Sequence, residues 1–375
     1  MLLNATQTAI QEAVRAFAQD RIRPRSAAFE AAGGYPAGLF AEMAGLGLMG
    51  MTAPEEVGGA GADYVSYALA LIEVAAADGA LSTIVSIQNS IMVSGLLKDG
   101  NSAQQARWLP AMIGGTAIGA FALTEADAGS DAAAIPHARA ARRRRLAARR
   151  HQAVHHLRAH RRRRHGHRRH RSRRWPQGIS AFLAPTDTPG YFVDKTEHKL
   201  GQAASDTCAL RFEDCFVGDD ALLGEEGRGY GIALSNLEAG RIGIAAQSVG
   251  MAQAALEIAI AYARDRISFG KPIIEHQAVG FRLADLATRL EAARQMVLHA
   301  AALKDAGAPC LREAAMAKLF ASEAAEAIVS GAIQTLGGYG YLEDFGLAKI
   351  YRDVRVCQIY EGTSDIQRMI IARAL

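Results

Sequence analysis

The chain has 375 residues, 50% of them hydrophobic and 21% charged, which excludes a disordered, collagen-like or disulfide-scaffolded protein and suits two or three packed units around a sizeable core. Its formal charge of +4 is the sum of two unlike parts, because residues 136–174 hold 17 arginines, 8 histidines and no acid. Without that block, 25 basic residues face 38 acidic ones, a net charge of −13.

The four cysteines, Cys208, Cys215, Cys310 and Cys357, show no CxxC pairing, so a reduced, cytoplasmic protein is expected. The first residues lack the basic and then apolar pattern of a signal peptide. In chain order, Ala9, Ile10, Ala13, Val14 and Phe17 recur at helical spacing and a second apolar stripe covers 64–76, so residues 5–115 read as helical around a loop at Pro54–Gly61. From about 116 to 217 the texture turns to short β runs: Phe121-Ala-Leu-Thr, Ile179-Ser-Ala-Phe-Leu and Ala209-Leu-Arg-Phe, separated by turn clusters such as Asp187-Thr-Pro-Gly. Helical segments follow near 229–264, 275–306 and 311–336, and a shorter one follows Thr363. The apolar run 242–261 is broken by Gln247, Gln253 and Glu257 and reads as a buried bundle helix rather than a membrane span. The expected fold is mainly α with a middle β domain: an N-terminal helical domain over 1–117, a β domain over 118–227 and a helical bundle over 228–375.

Four segments could carry chemistry. In Ile359-Tyr-Glu-Gly-Thr-Ser-Asp-Ile-Gln-Arg, Thr363 can cap the last helix and Asp365 favours its positive end. Glu361 stands just before that cap, either as an exposed loop acid or as a carboxylate held rigidly as a general base. Gln334-Thr-Leu-Gly-Gly-Tyr-Gly-Tyr offers backbone N–H groups that a pyrophosphate could approach, although Gly337 would serve equally as a helix C-cap. Phe121-Ala-Leu-Thr-Glu-Ala-Asp-Ala-Gly-Ser-Asp runs from a strand end into residues able to donate to a heterocycle, or into a capped turn. Arg264-Asp-Arg-Ile-Ser-Phe-Gly-Lys complements a helix C-terminus and would also suit a diphosphate.

Taken in order and spacing, these four segments resemble the acyl-CoA dehydrogenase family, closest to its short-chain and short-branched-chain members, over nearly the whole chain apart from 136–174. The resemblance implies an N-terminal helical domain, a β-barrel-like middle domain and a C-terminal four-helix bundle, assembled as a homotetramer without a membrane, in β-oxidation or branched-chain degradation. It implies FAD as cofactor, an acyl-CoA as substrate and an electron-transferring flavoprotein as acceptor. Glu361 would remove the α-proton of the thioester and the flavin N5 would accept the β-hydride, giving a trans-2-enoyl-CoA. Phe121, Leu123, Thr124, Ser130, Thr363 and Asp365 match cofactor contacts. So do Arg266, Phe269, Gln277, Gln334, Gly337 and Gly338, some of them reaching the cofactor of a neighbouring subunit. Ser130, Leu237, Glu238, Arg241 and Gly362 match the acyl-CoA channel. Some relatives place the base one residue before the arginine of Asn236-Leu-Glu-Ala-Gly-Arg; that residue here is Gly240, so Glu361 stands without a rival. No metal is expected.

The block at 136–174 departs from the family. As a true insertion it would bind nucleic acid or acidic surfaces, and the chain as written could then be a flavin-deficient, non-enzymatic or nucleic-acid-binding protein; an oxygen-using oxidase is the alternative within the fold. His155, His156, His165 and His167 have no recognised metal-ligand spacing. A third reading is a shifted frame. Gln152-Ala-Val-His-His-Leu-Arg, written CAA GCA GTT CAT CAC CTC CGG, becomes Lys-Gln-Phe-Ile-Thr-Ser-Gly when the first base is dropped, which resembles the family's flavin-contacting strand. Arg168-Arg-His-Arg shifts similarly to Ala-Val-Thr-Asp. The interval has about the family's usual length, so two compensating frame changes are the expectation carried forward.

Overall fold

A computed structural model describes residues 1–135, the backbone of 153–157, and residues 179–375. Readings that fall on 136–152 and 158–178, including His165, His167 and the second shifted strand at Arg168–Arg171, lie outside the described residues, as do the side chains of His155 and His156.

The chain enters through α1 (Ala5–Phe17), where Asn4 and Gln7 cap each other reciprocally and satisfy two otherwise orphaned N–H groups. Then follow α2 (Ser26–Ala32), α3 (Ala37–Gly45), α4 (Tyr64–Ala77), α5 (Gly79–Ile87), α6 (Ser94–Asp99) and α7 (Ser102–Ile113). The apolar stripe over 64–76 becomes α4, which is buried from Val65 to Ala77, as expected of a helix that is apolar all round. Asp78 joins α4 to α5: its buried carboxylate accepts from Leu81 N at 2.9 Å and Tyr35 OH at 2.7 Å and pairs with Lys349 at 3.4 Å.

Helix gives way to strand between Ile113 and Ala120. β1 (Ala120–Ala122), β2 (Ala153–Leu157), β3 (Ser180–Ala184) and β6 (Leu222–Leu223) form one sheet in the order β1-β2-β3-β6, with β1 and β2 parallel and the other pairings antiparallel. All five residues of β3 are buried. β4 (Tyr191–Thr196) and β5 (Cys208–Phe212) make a separate antiparallel pair with an irregularity between Val193 and Lys195.

Strand returns to helix between Leu223 and Gly229. α8 (Gly229–Asp265) leads through the short hairpin of β7 (Ile267–Ser268) and β8 (Lys271–Pro272) to α9 (Gln277–Asp305), α10 (Leu311–Leu336), α11 (Leu347–Val354) and α12 (Ser364–Ala372). A single apolar core joins α4 to α8, α9 and α10, with Leu71, Ile72, Ile244, Val297 and Ile328 fully buried in it. Two helical stretches, Gly79–Asp99 and Gly229–Asp265, are long and apolar enough to cross a membrane by length and composition, and 78% of each apolar window is buried inside the fold.

α8 can approach α4 because it is glycine at the crossing. A Cβ on Gly250 would lie 2.8 Å from Ala75 Cβ and 2.9 Å from the Ile72 carbonyl carbon. Gly250→Ala is therefore expected to overpack the crossing and to cost about 1–3 kcal/mol of stability, read as a fall in the urea midpoint at unchanged slope. A cost below about 0.5 kcal/mol would show that the two helices are not in this contact.

Candidate active site

The segment between α11 and α12 is built to hold one residue in an unusual backbone conformation. A 3-10 turn at Arg355–Gln358 ends where Tyr360 N donates to Val356 O at 3.1 Å. Glu361 then adopts φ 51 and Gly362 φ 93. Thr363 opens α12, its hydroxyl accepting from Ile366 N at 3.4 Å, and Asp365 sits exposed in the first turn beside Arg368 at 3.3 Å. The left-handed region suits glycine at 362 but is uncommon for a residue with a side chain, and such strain persists only where surrounding structure enforces it.

The surroundings do so from both sides. Before Glu361, the Tyr360 hydroxyl donates to Gln247 Oε1 on α8. Gln247 Nε2 in turn donates to Thr83 Oγ1 at 2.5 Å, and Thr83 Oγ1 donates to Gln202 Oε1 at 2.7 Å. After it, the Gly362 carbonyl accepts from Lys318 Nζ on α10 at 2.7 Å and from Gln367 Nε2 at 2.8 Å.

Thus suspended, the Glu361 side chain points at α8. A Cβ on Gly240 would lie 2.8 Å from Glu361 Cδ and 3.1 Å from Oε1, so the carboxylate occupies the space that any side chain at 240 would need. Its Oε2 is buried with no hydrogen-bond partner. Glu361 is therefore not an exposed loop acid: the residue is half-buried, with Oε2 turned in against α8. Burial pushes its carboxyl up to about 7, against the opposing pull of Arg241 and Lys318. Arg241 is itself 5% exposed, with an unpartnered Nε, and burial draws its guanidinium down. Ser364 Oγ and Gln367 Oε1 are likewise buried and unpartnered. Buried polar atoms normally have partners, so three orphaned ones on neighbouring residues, besides the carboxylate's own Oε2, mark a place prepared for other polar groups.

The other expected residues fall into two sets. Leu123 is half-buried at the end of β1, and Thr124 and Ser130 are exposed on the turn beyond it, which Glu125 and Ala128 close through reciprocal 3.1 Å hydrogen bonds. Phe121 lines a cavity of about 960 Å³ between the N-terminal helices, β1 and the C-terminal loop, as do Ile87, Ile359 and Tyr360. Arg266, Phe269, Gln277, Gln334, Gly337 and Gly338 are instead exposed together at the far end of α10, where Arg266 lies over the Tyr339 ring at 6.0 Å. From Lys318 to Gly337 is nineteen residues along α10, about 28 Å at helical rise. One chain therefore does not bring this second set to Glu361. Gly337 has φ 61 and ψ −133, and a Cβ on it or on Gly338 would meet nothing within 4 Å, so the backbone there is open to an approaching group. Leu237 is half-buried against α6 and β3. Glu238, expected to line an acyl-CoA channel, is paired with Lys304 of α9 at 2.7 Å, nearly opposite Gly240 around α8.

Lys318, Gln367, Tyr360 and Gln247 were not singled out from sequence. A lysine within Ala-Ala-Met-Ala-Lys-Leu-Phe-Ala, in phase with the buried face of α10, was the available signal for the first of them.

Family models described as acyl-CoA dehydrogenase, N-terminal domain, and acyl-CoA dehydrogenase, C-terminal domain, match residues 4–116 and 227–375. An acyl-CoA dehydrogenase of Bacillus subtilis is 41% identical over 375 residues, covering 100% of this chain and 99% of the relative. The human mitochondrial short-chain specific acyl-CoA dehydrogenase is 42% identical over 370 residues, covering 99% and 90%. The solved structure of butyryl-CoA dehydrogenase from Megasphaera elsdenii superposes with a TM-score of 0.89 at 33% identity, covering 100% and 99% of the two chains.

The raised Glu361 fixes a stability signature. Below its ordinary range near 4.5, folded and unfolded chains both hold the proton. Between about 4.5 and about 7 the unfolded chain releases it first, so the native state loses stability as pH rises; above that window the loss is constant. Glu361→Gln, which cannot ionise, is expected to gain on the wild type across that window by about 2–4 kcal/mol and then plateau. Urea midpoints measured from pH 4 to 8 check this, and parallel profiles for the two proteins would contradict the burial.

Proposed function

The chain belongs to the acyl-CoA dehydrogenase family, and from that premise we propose that it performs the FAD-dependent α,β-dehydrogenation of a short-chain acyl-CoA, with Glu361 as the base and an electron-transferring flavoprotein as the electron acceptor. The observation that carries the reading is the half-buried Glu361 carboxylate: its Oε2 is buried and unpartnered, burial raises it to about 7, and it is set against Gly240 where no second base can stand. A thioester α-proton is far too weakly acidic for a carboxylate in water. Desolvation makes this carboxylate a better base, and a general base poised near the working pH is the efficient one. The rigid turn on either side of it supplies fixed geometry, which is worth orders of magnitude when the reacting atoms are held in place. Arg241, Ser364 and Gln367 keep unpartnered polar atoms around it that can meet the polar parts of a bound thioester.

When bound, FAD supplies the hydride acceptor. The residues present fit it: Leu123, Thr124 and Ser130 at the end of β1, with Thr363 and Asp365 at the start of α12, would hold it in one chain. Arg266, Phe269, Gln277, Gln334, Gly337 and Gly338, about 28 Å away along α10, would reach the cofactor of a second chain. That geometry supports a homo-oligomer, for which a homotetramer is our proposal. So do the aromatic rings left at that end, with Phe269 95%, Tyr341 87% and Phe281 65% exposed.

We propose further that 136–174 is read in a shifted frame. The B. subtilis relative aligns end to end without room for an extra block, and β2 occupies a central slot between β1 and the fully buried β3. There the restored Phe-Ile-Thr would stand at 154–156.

Anaerobic titration with butyryl-CoA is expected to bleach the flavin absorbance of the wild type. Glu361→Gln should slow that bleaching by about a hundred- to ten-thousand-fold while still binding the ligand; a variant that bleaches at the wild-type rate removes Glu361 from the role. A gene with the frame restored across 136–174 is expected to yield close to one FAD per chain, and the chain as written clearly less, by absorbance after gel filtration. Equal FAD content, with a coding-strand base count that supports the written frame, would reject the frame proposal.

A further inference from the structure

Lysine is seldom found without solvent contact unless it is paired, yet Lys318 is 0% exposed. α10 is helical and apolar around it, with Ala314, Ala315, Ala317 and Ala321 all buried. Its ammonium has one close partner, the Gly362 carbonyl at 2.7 Å, on the residue that follows Glu361. The same oxygen accepts from the fully buried Gln367 at 2.8 Å. Gly362 can hold φ 93 only because it is glycine, and a Cβ there would also lie 2.8 Å from Gln367 Nε2.

We propose that Lys318 is a positioning residue for the base: its ammonium fixes the Gly362 carbonyl and so the left-handed turn at Glu361, and its charge keeps the neighbouring carboxylate able to ionise. This rests on the reading of Glu361 as the base. Both functions follow from the geometry. With the Tyr360 hydroxyl anchored on Gln247 and the Gly362 carbonyl anchored on Lys318, Glu361 is tied down at the residues on either side of it. The tie to α10 is charge-assisted and therefore stronger than one between neutral groups.

The electrostatic part is a contest. Burial favours the neutral acid, and two cations on different helices, Arg241 of α8 and Lys318 of α10, oppose it. The other titratable groups facing them are Cys357 of the C-terminal loop, Glu323 of α10, Tyr67 of α4 and Glu238 of α8, the last paired with Lys304 at 2.7 Å. Burial pushes up the Cys357 thiol and the Tyr67 phenol, so both are neutral near pH 7. Glu323 is engaged by Arg368 at 2.5 Å. That leaves Lys318 and Arg241 as the cations that set the carboxylate's charge. Burial lowers Lys318 itself to about 8, which still leaves it mostly protonated at pH 7.

The test is the pH profile of kcat/KM for butyryl-CoA, measured on flavin-loaded Lys318→Met and Lys318→Arg enzymes beside the wild type. Lys318→Met keeps the volume and loses both charge and donor. Its acid limb is expected to move up by about one pH unit, with kcat down by about tenfold at the plateau. Lys318→Arg, which keeps charge and donor, should return the limb to the wild-type position. A purely structural lysine would lower yield or melting temperature in the Met variant and leave the limb in place, and that outcome overturns the proposal. If the Met variant yields no flavoprotein, Lys318→Arg decides alone: an acid limb displaced by more than about half a unit overturns it. Glu361→Gln is run alongside. If that variant stays active, the base reading fails; if it is inactive while the Lys318→Met limb is unmoved, only the role of Lys318 fails.

Discussion

Burying a carboxylate oxygen without a hydrogen-bond partner is unfavourable, and Glu361 Oε2 is so placed at the junction of α8, α10 and the C-terminal loop. Glu361 tolerates it because the rest of the molecule over-determines its position. Gly240 removes the one side chain that would displace it. Arg241 and Lys318 bring positive charge from two helices, and the residues on either side are bonded to α8 and α10. The large apolar core shared by α4, α8, α9 and α10 is what keeps those helices fixed against the strain. Rearranging any of them would relax the carboxylate toward solvent and lower its basicity, so the bundle's packing and the site's chemistry are the same constraint seen at two scales.

The placement of the expected cofactor residues follows from helix length. α10 spans 26 residues, so groups near its first third and at its C-terminus cannot meet around one ligand in one chain. On the proposed homo-oligomer, a second copy would complete a site so divided, covering the aromatic surface left exposed at the Gly337 end.

Much of this architecture was legible in the residues. The segments read near 229–264, 275–306 and 311–336 are α8, α9 and α10 to within a few residues, because long helices carry many periods of the apolar pattern. Thr363 caps α12 through its hydroxyl, and Gly337 ends α10 at a positive φ open to glycine. The burial of Glu361 was not legible, since local sequence shows a polar turn and only the packing of α8 and α10 closes over it. Lys318 was half-legible: its phase on α10 says buried, but its partner is a backbone carbonyl, and a carbonyl leaves no mark in a sequence. Glu238, one turn before Arg241 on α8, pairs with Lys304 of α9, a contact across the bundle that its local sequence does not announce.

β2 supplies the last step. It lies between β1 and β3, with Val154 opposite Phe121 and Leu183 and with His155 and His156 opposite Phe182 and Ala181. A strand with a neighbour on each side, one of them buried at every position, ordinarily reads as a run of β-branched and aromatic residues. Two adjacent histidines flanked by arginine-rich sequence are the opposite composition, while the backbone geometry of the slot is that of an ordinary interior strand. Position and composition thus disagree along a whole strand here, whereas at Lys318 and Glu361 they disagree at single residues. Where local sequence and global fold conflict so sharply, strain at a functional site is the usual explanation. A functional strain, however, alters one or two residues and keeps the surrounding pattern, as at Glu361. Here the whole run changes together and the length does not, which is what the proposed altered reading frame would produce.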